Sequence, residues 1–342
     1  MSDLLIQERR AIMQYQLPKD FFFGGAMSGP QTEGRWQDDG RIPSIWDTWS
    51  NLDITAFHNR VGSYGGNDFS SRMEEDFELL KSIGMDSVRT SIQWSRLLDI
   101  DGKLNPEGER YYHQLFATAK KVGIEIFVNL YHFDMPEYLF NRGGWESREV
   151  VEAYAHYARI AFETFGKEIR YWFTFNEPMV VVECAYLLGF HYPDIVDGKK
   201  AVQVAYHLQL ASSLAIEQYR KINKNPEGRI GIILNLTPSY PATEKIEDLK
   251  AAEMADLWQN RLFLDASIKG EFPEELVSLL QEENVLWQSE AEDLKRIKEN
   301  KVDLLGVNYY HPSRVQEPEY SSNSLAQDWR PDKYYASFNK RG

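Results

Sequence analysis

The chain has 342 residues, 43% of them hydrophobic and 26% charged, with a formal net charge of −14. That length holds one large domain or two ordinary ones, and the composition is globular rather than disordered or fibrous. The acidic balance repels nucleic acid and anionic membrane surfaces, so neither is expected as a partner. The single cysteine, Cys184, excludes an intrachain disulfide, and its neighbours suggest a packed thiol.

In chain order the first apolar run is Phe21–Ala26, followed by Ser87–Ile92, Ile126–Leu130, Tyr171–Phe175, Ile230–Leu234 and Leu304–Val307. Each is short and rich in β-branched or aromatic residues, as buried parallel strands are. Amphipathic segments separate them. Phe77, Leu80 and Ile83 form a stripe that ends at Gly84. Tyr112, Leu115, Phe116, Ala119 and Val122 follow Pro106 and stop at Gly123, and Val151, Tyr154, Ala158, Ala161 and Phe165 close at Gly166. Proline in a first turn and glycine after a last one are helix punctuation, and the stripes read as core packing. The N-terminus, Met1-Ser2-Asp3-Leu4-Leu5, has no basic segment leading into an apolar stretch, and no run of 18 apolar residues occurs, so a cytoplasmic protein is expected.

Strands alternating with helices make βα units, six of them here, and a parallel sheet. Such a sheet is either open and doubly wound or closed into a barrel. The run Phe23–Pro30 contains glycines, but without the G-x-G-x-x-G spacing, and no G-x-x-x-x-G-K motif occurs. The barrel is therefore the expected architecture.

Barrel chemistry collects at the C-terminal ends of the strands. Here the first strand leads to Gln31 and Glu33, the second carries Arg89, and the third ends Tyr131-His132-Phe133-Asp134. The fourth ends Asn176-Glu177-Pro178 and the sixth Asn308-Tyr309-Tyr310. Each residue has a bland alternative. Arg89 fits a structural ion pair, His132 a satisfied core histidine, and Glu177 a carboxylate at a helix N-terminus. Buried polar groups are costly unless paired, so the recurrence at strand end after strand end points to a site. Aromatic residues, 13% of the chain, suit either a large core or stacking against the C–H faces of sugar rings.

At these residues the chain resembles the family 1 glycoside hydrolases. The resemblance rests on Phe23-Gly24-Gly25-Ala26 leading to Gln31-Thr32-Glu33-Gly34, and on Val88-Arg89-Thr90-Ser91-Ile92-Gln93-Trp94-Ser95-Arg96. It continues through His132-Phe133-Asp134-Met135-Pro136, Thr174-Phe175-Asn176-Glu177-Pro178 and Gly306-Val307-Asn308-Tyr309-Tyr310. The resemblance implies a (β/α)8 TIM barrel and retaining β-glycosidase activity. It implies Glu177 as general acid/base, Asn176 on the sugar 2-hydroxyl, and Gln31 and His132 on ring hydroxyls. It implies Arg89, Asn308 and Tyr310 as supports of the nucleophile carboxylate, with the two carboxyl groups ~5–5.5 Å apart. No metal or other cofactor is implied, and no paired ligand spacing such as H-E-x-x-H occurs.

The family's nucleophile sits in an Ile/Val-Thr-Glu-Asn-Gly type motif on the seventh strand, and no such motif occurs in these residues. Gln31-Thr32-Glu33-Gly34 and Ala242-Thr243-Glu244-Lys245 are the nearest strings. The expectation is one catalytic barrel domain over residues 1–342, with about six of eight βα units and a truncated C-terminus. Phe133, where many members have Trp, resembles the bacterial 6-phospho-β-glycosidases. The expected ligand is thus a small 6-phospho-β-glucoside. The alternatives are an unphosphorylated β-glucoside or β-galactoside, or a sugar-binding fragment without turnover.

Overall fold

Six parallel strands form the main sheet of the computed structural model, which describes residues 16–34, 40–62, 65–223, 225–319 and 328–338. Residues Met1–Leu5, read above for a leader, lie outside the described residues. The strands are β1 (Gly24–Ala26), β2 (Ser87–Ser91), β3 (Glu125–Tyr131), β4 (Tyr171–Asn176), β5 (Arg229–Asn235) and, after β6 (Ser239–Pro241), β7 (Leu304–Asn308). Their order in the sheet is β1-β2-β3-β4-β5-β7, each beside the strand before it, as in a (β/α)8 barrel. Among the described residues β1 and β7 do not pair with each other, so the sheet has two edges.

The expected strands are all present, the first much shortened and the second shorter by one residue. Only Gly24–Ala26 of the run Phe21–Ala26 joins the sheet, and Phe21 and Phe23 are exposed at the sheet edge. The glycine next to them approaches its neighbour closely, since a Cβ on Gly24 would stand 2.1 Å from the Ser87 carbonyl oxygen.

The helices pack on the outer face of the sheet. Pro106–Val122 starts at the cap Asn105, whose side chain accepts from the Glu107 amide, and ends at Gly123 with φ 79°. Gly84 ends the preceding helical segment with φ 88°. Gly166 closes its helix, as expected, but not in a left-handed conformation. It has φ −61° and continues the turn of the helix Arg148–Phe165 by donating to Phe162. The core between sheet and helices is aromatic. Trp94 stacks on Tyr157 at 5.1 Å, and Tyr154 stacks on Phe175 at 4.7 Å. Between sheet and helices the Thr174 and Ser212 hydroxyls lie 2.7 Å apart, tying β4 to the helix Gly198–Ile222.

A second, three-stranded sheet was not expected. β6 pairs with β8 (Ser313–Gln316), and β8 with β9 (Ala336–Ser337). It covers a small satellite core of Ala251, Ala252, Ala255, Val315 and Tyr335. Strands of two to four residues carry too little alternation to be read from a sequence.

Candidate active site

Register brings the strand ends together. Tyr131 of β3 pairs with Phe175 of β4, Asn176 with Ile233 of β5, and Asn235 with Asn308 of β7. His132, Glu177 and the Asn308–Tyr310 run therefore leave the sheet side by side.

Glu177 follows β4 in a left-handed backbone conformation, φ 49° and ψ 60°, and Pro178 begins a short helical turn directly after it. Such a conformation is costly for a residue with a side chain and is held by its surroundings. Here the Glu177 amide donates to the Ile233 carbonyl at 2.8 Å. Its buried carboxylate accepts through Oε1 from Asn308 Nδ2 at 2.6 Å and from the Tyr310 hydroxyl at 2.7 Å. The carboxylate in turn pushes the Tyr310 phenol up to about 12, the hydrogen bond being the main cause.

Asn176 is 2% exposed. Its Oδ1 accepts from Arg89 Nη1 at 2.6 Å and from Asn308 Nδ2 at 3.1 Å, while its Nδ2 lies 3.5 Å from His132 Nε2. Burial lowers the Arg89 pKa, and the charges of Glu177 and Tyr310 oppose that. His132 is pushed down to about 3, by burial first and by the Arg89 charge second, so its imidazole is neutral. A neutral imidazole carries one N–H. Asn129 Nδ2 stands 3.3 Å from His132 Nδ1, while the buried Asn129 Oδ1 has no partner. Turning that amide gives Nδ1–H an acceptor and leaves Nε2 to accept from Asn176.

Six of the expected site residues thus form one connected group: Arg89, His132, Asn176, Glu177, Asn308 and Tyr310. Gln31 stands apart from this network. It is exposed, its Oε1 accepts from Ser28 Oγ at 2.7 Å, and it shares with His132 a cavity of about 370 Å³. Trp46, Phe57 and Phe133 form the aromatic wall of that cavity, and Phe133 also has a left-handed backbone, φ 68°. Among the described residues no second carboxylate accepts from Arg89, Asn308 or Tyr310. Cys184 is half-buried with its thiol pushed up to about 12, mainly by burial, so it stays protonated, as a packed thiol does.

Sequence reasoning gave no role to the groups beneath the site. Asp134 is fully buried, accepting from the His132 amide at 3.1 Å and the Trp94 amide at 2.8 Å, and so ties the turn after β3 to the turn after β2. Burial pushes its carboxyl up to about 7 against these bonds. Asn129 and Ser28, which orient His132 and Gln31, carry no local signal in the sequence. Only their spacing of three residues from the groups they touch hints at the contact.

Residues 13–337 match the profile described as Glycosyl hydrolase family 1. The chain is 47% identical over 323 residues to the 6-phospho-beta-glucosidase GmuD of Bacillus subtilis, an alignment covering 94% of this chain and 69% of that one. It is 35% identical over 310 residues to Beta-glucosidase A of Acetivibrio thermocellus, covering 90% and 68%. Among solved structures, the β-glucosidase of Thermotoga maritima in complex with castanospermine superposes with a TM-score of 0.83 at 30% identity, covering 95% of this chain and 70% of that one.

Proposed function

The chain belongs to glycosyl hydrolase family 1, and from that premise we propose that it carries the acid/base half of a retaining 6-phospho-β-glucosidase site, with Glu177 as the proton donor. The observation that carries this reading is the group of the buried His132, Asn176 and Glu177 and the half-buried Arg89 at adjoining strand ends. Glu177 would give its proton to the leaving-group oxygen while a second carboxylate attacks the sugar carbon, and would then take a proton from the water that releases the sugar. Asn176 would hold the 2-hydroxyl, a contact that tightens as positive charge develops on the ring. Gln31 and the neutral His132 would hold other ring hydroxyls. Arg89, Asn308 and Tyr310 would hold the second carboxylate, and in its place their hydrogen bonds go to Asn176 and Glu177.

The 342 residues contain no Ile/Val-Thr-Glu-Asn-Gly string, so the second carboxylate is not expected from this chain. The purified chain should leave an aryl β-glucoside 6-phosphate essentially uncleaved, and near-normal turnover by it would overturn that assignment. The phosphorylated substrate is supported by the relative at 47% identity and by Phe133, and a cytoplasmic setting, where sugars imported with phosphorylation arrive, suits it. The relative at 35% identity supports the unphosphorylated alternative. Hydrolysis of cellobiose and of cellobiose 6-phosphate by the full-length gene product separates the two. The 6-phosphate should be the better substrate, and equal or faster cleavage of the free sugar would refute the choice.

A further inference from the structure

Glu33 is 1% exposed and Arg96 is fully buried, yet neither touches the cavity that holds Gln31 and His132. Arg96 Nε stands 2.8 Å from Glu33 Oε2, and the same oxygen accepts from Gln93 Nε2 at 2.6 Å. The Tyr112 hydroxyl donates to Glu33 Oε1 at 3.1 Å and itself accepts from the Gln93 amide at 2.7 Å. Arg96 Nη2 donates to the Gly34 carbonyl at 3.0 Å. Ser70 Oγ donates to the Glu33 carbonyl at 2.6 Å. Both carboxylate oxygens are thus engaged from the turn after β2 and from the helix Pro106–Val122. A buried ion pair is poor at raising stability compared with apolar residues of the same volume, but its geometry is selective.

That selectivity acts on the four-residue turn Gly29–Thr32, which carries Gln31. Its first amide, Gly29 N–H, donates to Ser91 Oγ at 2.8 Å, and Glu33 closes its end by donating to the Gly29 carbonyl at 3.0 Å. The turn lies directly on the cluster, since a Cβ on Gly29 would meet Gln93 Cγ at 2.5 Å and Glu33 Oε1 at 3.0 Å. A helical turn this short has no stability of its own. Its orientation is set by the clamp at each end.

We infer that Glu33 is a positioning residue: through its bonds to Arg96, Gln93 and Tyr112 it holds the Gly29–Thr32 turn so that Gln31 faces the sugar. The inference rests on Gln31 being a sugar contact. Castanospermine, a glucose-shaped iminosugar, is the probe, and calorimetric titration of the 342-residue chain is the measurement. Gln31→Ala should weaken binding about tenfold, the scale of one lost hydrogen bond to a buried partner, and Glu33→Gln should weaken it by a similar factor. The double variant should be no weaker than about twofold below Gln31→Ala, because both changes remove one contact.

A purely structural Glu33 lowers the melting temperature without coupling to Gln31. Losses that multiply in the double variant, or castanospermine affinity unchanged by Glu33→Gln, overturn the inference. Should Glu33→Gln fail to fold once Arg96 loses its carboxylate partner, Tyr112→Phe removes the phenol's hydrogen bond to Glu33 and spares the ion pair. Its affinity loss should be two- to threefold on the scale of a neutral hydrogen bond and should vanish in the Gln31→Ala background. A loss that persists there overturns the inference. No binding by the unmodified chain overturns the sugar-site reading itself, and the inference with it.

Discussion

Glu177 combines burial, a left-handed backbone and two donors on one carboxylate oxygen, and each has a chemical consequence. The backbone conformation aims the side chain away from the strand, and the donors hold it in one orientation. In the full-length gene product, Glu177→Gln should nearly abolish cleavage of glycosides with poor leaving groups. It should largely spare the first step for activated aryl leaving groups, which need no proton. Pre-steady-state kinetics on a pair of substrates of different leaving-group acidity checks this, and equal losses would remove Glu177 as the acid. His132 gives a prediction on stability. Its folded pKa is about 3, whereas an unfolded histidine titrates near 6.5. Between these values the unfolded chain binds a proton that the native chain does not, so the native state loses stability as pH falls from about 6.5 towards 3. From pH 7 to pH 4.5 the unmodified chain should lose on the order of 2 kcal/mol more than His132→Gln in urea unfolding. Parallel pH profiles would mean that His132 is not the acid-sensitive group. Asp134 works in the opposite sense, since its raised folded pKa costs stability as pH rises through about 7.

At the scale of elements, the turns after β1, β2 and β3 behave as one layer. Glu33 ties the first to the second, and Asp134 ties the second to the third. Glycines let the helices come close enough to support that layer. Gly108 in the helix Pro106–Val122 is buried, and a Cβ there would stand 2.1 Å from the Arg96 carbonyl oxygen. Gly108→Ala should therefore destabilise the chain by about 2–3 kcal/mol, as overpacking against rigid backbone does, and the urea midpoint reads it. A midpoint within error of the unmodified chain would show that the helix can shift without cost. The ends of this helix were legible from Pro106 and Gly123 because capping is local chemistry. Gly166 likewise marks the end of its helix, as expected, but with helical angles rather than a left-handed cap.

At the scale of the whole molecule, the main parallel sheet has edges at β1 and β7 among the described residues. Val307 is 50% exposed at one edge, beside the exposed Tyr309 and Tyr310, and Phe21 and Phe23 are exposed just before β1 at the other. Unpaired backbone together with apolar side chains invites edge-to-edge association. Sedimentation of the chain at micromolar concentrations should show reversible self-association, and Val307→Lys should raise the monomer fraction. A chain that is monomeric throughout, or one indifferent to that charge, would show that these edges are not adhesive.

The order of βα units, the barrel class and the polar strand ends were all determined by the sequence alone, because each is carried by a local pattern: an apolar run, a capping residue, a motif of a few neighbours. Partnership was decided only in three dimensions. That Asn308 and Tyr310 hold Glu177, that Arg89 holds Asn176, and that Glu33 meets Arg96 depend on strand register and side-chain direction between segments up to 133 residues apart. The small sheet of β6, β8 and β9 belongs to the same class, since its strands exist only through their pairing and the few alanines beneath them. Glu177 could be found from Asn176 and Pro178 beside it; what its carboxylate touches is a property of the packed chain.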